Sequence, residues 1–195
     1  MCGVGINDKT KPTWVDGKIV KEYDLWTGVL ERCFSEKLQT RCSTYKGCNV
    51  SDNFLTYSYF YDWCQEQIGF DKVDENGKSW CLDKDILFTG NKTYSETACV
   101  FVPNEINVFF NERGNARGEY PLGVYFHKQK GKFQAHCTVN GKQQYLGLFL
   151  TPEEAFTVYK PFKENLCKQL ALKWQTEIDE RLFNTMMNWT VNYEA

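Results

Sequence analysis

The chain predicts an α+β protein: a helical first half that includes a strand, loop, strand, helix stretch, followed by a three-stranded antiparallel sheet packed on a helix. Three observations carry this. Apolar residues recur at helical spacing over Glu22–Gln39 and Phe54–Ile68. The period drops to two between Gly123 and Phe149. Within that stretch, Lys130-Gly131 and Asn140-Gly141 fall where tight hairpin turns belong.

In the first helix, Leu25/Trp26, Val29/Leu30 and Cys33/Phe34, ending with Leu38, line one face. Thr40–Val50 is polar and reads as a loop. Phe54, Leu55, Phe60, Trp63, Cys64 and Ile68 then mark a second helix packed on the first. Asn76-Gly77 makes a turn of Asp71–Lys78. Ser79–Leu82 and Cys99–Val102 are short apolar strands separated by the polar loop Asp83–Thr97, and Pro103 opens a helix through Phe110.

Asn111–Tyr120 carries two glycines and no apolar core residue, so the domains divide as 1–112 and 113–195. Beyond it, Gly123–Gln129, Phe133–Val139 and Gln143–Phe149 are the expected strands. Thr151-Pro152-Glu153-Glu154 supplies a capping hydroxyl, a first-turn proline and a carboxylate three residues on, which together start a helix. Its apolar face runs Ala155, Phe156, Tyr159, Phe162, Leu166, Leu170, Trp174 and Ile178. Pro161 should kink or break it. A last helix carries Ile178, Leu182 and Met186.

At 195 residues and 42% hydrophobic content, the chain is long enough for one sizeable core or two small ones. No apolar run approaches a membrane span, and the first residues lack a basic start and an apolar signal core, so no membrane is involved and a cytoplasmic location is expected. Nine scattered cysteines fit that setting as reduced, mostly buried thiols, and the sequons at Asn91 and Asn188 then carry no meaning. No C-x-x-C pair occurs, which argues against a zinc site built from Cys33, Cys42, Cys48, Cys64, Cys81 and Cys99.

The net charge of −2 conceals an asymmetry. Met1–Glu112 has 12 Lys/Arg against 17 Asp/Glu, giving −5, whereas Arg113–Leu148 has 6 against 1, giving +5. The remainder gives −2, so one short segment holds all the positive excess.

A sheet backed by one helix has one free face. Alternation sends Val124, Phe126, Phe133, Ala135, Cys137 and Val139 inward, and Tyr125, His127, Gln129, Lys132, Gln134, His136 and Thr138 outward. With Lys128, Lys130, Lys132 and Lys142 as a basic rim, and Arg113 and Arg117 just before it, the outward set suits double-stranded DNA: cations meet phosphates while polar tips meet base edges. The competing expectation is an ordinary solvated sheet face.

The run GVYFHKQKGKFQAHCTVNGKQQYLGLFLTPEEAFTVY resembles an AP2 domain in its G-V pair, its K-G and N-G hairpins, its L-G-x-F strand end and its T-P-E-E-A helix start. That resemblance implies a three-stranded sheet laid in the major groove. The sequence lacks the tryptophan and most of the arginines that plant members carry on those strands, having Gln, His and Lys there.

In the first half, G-V-G-I-N-D, E-R-C-F-S-E-K, T-Y-K-G-C-N-V, L-D-K-D-I-L, G-N-K-T-Y-S and F-V-P-N-E-I-N resemble the N-terminal part of phage HNH-type homing endonucleases, which carry AP2 tails. The resemblance implies a ββα-metal fold, Mg²⁺ or another divalent cation, and cleavage or nicking of DNA in a host cytoplasm. Asp83, Asp85 and Asn107 become the expected metal ligands, and Asp83, Asp85 and Asn91 the expected catalytic set.

The chain's two histidines, His127 and His136, lie in the other domain, and Asp83-Lys84-Asp85 stands where the pattern has Asp-His. A solvated aspartate titrates near 4 and accepts a proton weakly at neutral pH. The alternatives are therefore a catalytically inactive DNA-binding regulator or antagonist of a host protein, with Asp83 and Asp85 capping a loop, and a protein-interaction module in which Tyr57, Tyr59 and Tyr61 form a docking row.

Overall fold

The Asp16-Gly17 pair bends the chain first. Both residues have positive φ (50° and 73°), the geometry of a tight hairpin, and join the antiparallel strands β1 (Trp14–Val15) and β2 (Lys18–Ile19). This hairpin was not expected. The computed structural model describes residues 3–75, 77–111 and 119–193.

The expected first helix is two: α1 (Lys21–Phe34) and α2 (Glu36–Arg41). Ser35 breaks it, because its Oγ accepts the Leu38 N–H at 3.3 Å and so caps a new helix. The expected loop Thr40–Val50 ends in β3 (Asn49–Val50), and the second helix contracts to α3 (Tyr57–Glu66). β4 (Cys81–Asp83) pairs antiparallel with β6 (Val100–Val102). Between them, β5 (Thr93–Tyr94) pairs parallel with β3. α4 (Asn104–Phe110) follows Pro103 as expected.

The second half forms β7 (Val124–His127), β8 (Lys132–Val139) and β9 (Lys142–Phe149), an antiparallel meander in the order β7-β8-β9. α5 (Pro152–Trp174) and α6 (Glu180–Met187) complete the chain. At the start of α5, Thr151 Oγ1 accepts the Glu154 N–H at 3.1 Å, and the Glu154 carboxylate reaches back to the Leu150 N–H at 3.0 Å. Pro161 does not break the helix. It is exposed, on the side where the carbonyl it leaves unbonded can turn to water. The protein is thus α+β, and no helix among the described residues is long and apolar enough to cross a membrane.

Two compact units emerge: Met1–Asn107 with Glu177–Leu182, and Val108–Thr176 with Phe183–Ala195. The sequence reading gave all of 113–195 to the second. In the first unit, Trp26, Leu30, Phe54, Tyr57, Phe60, Phe101 and Ile106 are wholly buried. Trp26 Nε1 donates to Phe54 O at 2.8 Å, which satisfies the indole inside an apolar core. Truncating such a ring to alanine costs about 3–5 kcal/mol.

Tyr57 is part of this core, its O–H donating to Pro12 O, while Tyr59 is exposed. The expected tyrosine docking row is therefore not one surface. Residues two apart on a helix turn 200° from each other.

In the second unit, α5 lays Ala155, Phe156 and Tyr159 on Val124, Ala135 and Cys137, with Val191 closing the cluster. Gly123 is required there. Its φ is +76°, and a Cβ would sit 2.2 Å from the Tyr159 ring. Phe126, assigned inward, is 41% exposed; its ring lies against Phe133 at 5.1 Å.

Candidate functional site

The free face of the sheet follows from its register. Tyr125 lies opposite Gln134, His127 opposite Lys132, His136 opposite Tyr145 and Thr138 opposite Gln143. Tyr145 was not among the expected residues. Counting alternation back from the inward Phe149 would bury it, but the register shifts between Ala135 and His136, leaving Leu146 as the extra residue. Leu146 and Phe149 then both pack on the core, three residues apart, and Tyr145 swings outward. The available signal was Gly147, since a glycine inside a strand often marks such a bulge. Its φ is 147°, and a Cβ would meet the Phe149 ring at 2.6 Å.

Lys128, Lys130, Lys132 and Lys142 are all exposed, and no carboxylate among the described residues pairs with them. They do not form a continuous rim. Lys128, Lys130 and Lys132 gather at the β7–β8 turn, and Lys142 stands at the β8–β9 turn. The eight-residue β8 separates the two ends by roughly 23 Å. Arg113 and Arg117 lie outside the described residues.

Two of the residues expected to meet base edges, Gln134 and His136, are engaged with each other. His136 Nε2 and Gln134 Oε1 stand 2.9 Å apart, both side chains are half-buried, and His136 Nδ1 is buried without a partner. The imidazole is wedged between tyrosines, with ring centroids at 6.0 Å from Tyr125 and 5.4 Å from Tyr145. Gln129 and Thr138 are exposed and His127 is half-exposed.

In the first unit, the structure brings Asp83, Asp85 and Asn91 into one loop. Asp83 Oδ1 accepts the N–H groups of Asp85 and Ile86, both at 2.8 Å. Asp85 Oδ2 receives Lys84 Nζ at 3.0 Å, and Lys84, almost fully buried, also lies 5.6 Å from the Tyr94 ring centroid. Asn91 Nδ2 donates to Lys84 O (2.7 Å) and Thr93 O (2.8 Å), and its Oδ1 accepts the Thr93 N–H at 3.2 Å. Asn91 thereby ties the loop to β5.

Asp83 is not the solvated carboxylate expected. Burial, then the neighbouring Asp85 charge, push its pKa up to about 6, against the pull of the two amides. Asn107, half-buried on α4, makes no hydrogen bond to this loop among the described residues. No group of three or more His, Cys, Asp or Glu side chains among them is placed to hold a metal ion. The eight described cysteines are free thiols, six of them buried.

No protein-family model, no curated protein and no solved structure matches the chain.

Proposed function

We propose that the chain is a DNA-binding protein that grips its ligand with the free face of β7-β8-β9, an AP2-like unit carried by an HNH-like first half. The observation that carries this is the lysine cluster Lys128, Lys130 and Lys132 at one end of that face and Lys142 at the other, unopposed by carboxylates among the described residues. A separation of roughly 23 Å lets the two ends meet well-separated phosphates of a DNA backbone that crosses the face. The meander, the Thr151 cap and the Gly123–Tyr159 packing support the AP2-like reading. The β4–β6 pair followed by α4 supports the ββα reading.

The Asp83 loop does not fit a divalent cation. Asp83 Oδ1 is committed to two amides, Asn91 to three backbone groups, and Asp85 Oδ2 to the Lys84 ammonium. A cation shared by Asp83 and Asp85 would sit beside the buried Lys84 ammonium, whose charge opposes it. The loop is accordingly assigned a structural role, and the DNA-binding regulator, acting on DNA alone or against a host protein, is preferred over the nuclease.

Two measurements check this. In gel shifts on duplex DNA, affinity falls as salt rises, and Lys130→Glu with Lys132→Glu flattens the logarithmic salt slope by about 2. Unchanged binding by that variant would remove the proposal. In a plasmid assay with Mg²⁺ or Mn²⁺, the DNA stays closed; nicks by the wild type that vanish in Asp83→Ala would restore the enzyme reading.

A further inference from the structure

We infer that the free face of the sheet selects DNA containing unpaired bases, which stack on Tyr125 and Tyr145. This rests on the DNA-binding reading above and names the form of DNA that the face is built for.

Reading a paired duplex requires hydrogen-bonding tips that can reach into a groove. On this sheet the central tips are withdrawn. Gln134 and His136 are half-buried and bonded to each other at 2.9 Å, and the remaining imidazole nitrogen is enclosed. What the centre of the face presents is aromatic: Tyr125 is 54% exposed and Tyr145 is 55% exposed.

His136 stands between them, edge-on to Tyr125 at 72° and tilted 58° to Tyr145. It acts as a spacer that keeps the two rings apart and stops them collapsing onto each other. An exposed tyrosine ring offers a stacking surface to any base, but only to one whose own faces are free. Bases in an intact duplex have both faces covered by their neighbours.

Charge complementarity names the occupant as nucleic acid. The lysines at the two turns flank the tyrosines along the strand direction, so a backbone crossing the face meets cations before and after its bases reach the rings. An acyl chain or an apolar peptide would leave those cations without counterions.

The test uses the full chain and fluorescence anisotropy with labelled DNA of one length in three forms: fully paired, paired with a central unpaired stretch, and single-stranded. The wild type binds the last two about tenfold more tightly than the first at equal salt. Tyr125→Ala with Tyr145→Ala erases that preference, weakening single-strand binding by about 5- to 100-fold and by more than it weakens binding of the paired duplex. Tyr125→Phe with Tyr145→Phe keeps the rings and keeps the preference, and thermal melting of each variant separates lost stacking from lost fold.

If the wild type binds the paired duplex as tightly as the others, or the alanine variant retains the preference, the stacking inference is overturned while the DNA-binding reading stands. If no DNA form binds at all, both fall together.

Discussion

Asp83 ends β4 with its carboxylate pulled two ways. Its Oδ1 holds the amides of Asp85 and Ile86, which favours the charge, while burial and the Asp85 charge oppose it and win, leaving the pKa at about 6. The unfolded chain titrates at 3.8. Between those values the folded state holds a proton that the unfolded state has released, so stability falls as pH rises through the window. Asp83→Asn keeps an acceptor for both amides and has nothing to titrate. Its advantage over the wild type in urea unfolding is expected to grow from about pH 4 to pH 6 and level off above, reaching on the order of 1–3 kcal/mol. Parallel pH profiles for the two proteins would refute this. The sequence displayed these aspartates but hid their state, because it does not show that Lys84 turns inward beside Asp85.

At the scale of elements, what the sequence revealed was local. Lys130-Gly131 and Asn140-Gly141 set two hairpins, and Thr151-Pro152 set the start of α5, because each acts through a backbone angle or one nearby hydrogen bond. What it hid was non-local or marginal. The β3–β5 pairing joins Asn49-Val50 to Thr93-Tyr94 with only two residues a side, too short to show any period. Ser35 is a good cap, yet the apolar spacing runs on past it to Leu38 and masks the break. The bulge in β9 turns Tyr145 to the free face against simple alternation, and Gly147 is its one local sign.

Gly123 supplies the element-scale prediction. Gly123→Ala forces a methyl into the Tyr159 ring from a left-handed backbone, and should cost about 2–4 kcal/mol of the second unit's stability. Gly131→Ala, in an open turn at φ +61°, pays only the backbone penalty and should cost less. Equal losses in chemical denaturation would contradict the packing account.

For the whole molecule, the decisive feature is that Glu177–Leu182 belongs to the first unit. Ile178 and Leu182 are buried, Glu177 pairs with Lys72 at 3.0 Å, and Arg181 donates to Thr97 O at 3.1 Å. Removing everything after Thr176 should therefore destabilise Met1–Asn107 by about 3–6 kcal/mol, from two large apolar side chains. Near-ultraviolet circular dichroism of the aromatic core at Trp26 and Phe54 would report it. An unchanged melting profile for that core would show that the segment is dispensable.

The same return of the chain fixes an order of events during synthesis. Val124 to Trp174 is contiguous, so the sheet and its covering helix can pair soon after they leave the ribosome, with Val191 closing their cluster last. The amino-terminal half, although made first, waits for residues that emerge some seventy positions later. Its exposed aromatic interior must be tolerated or chaperoned through that delay. It follows that the two halves were not free to be exchanged as cassettes: any recombination that kept the first without Glu177–Leu182 would inherit an unfinished core.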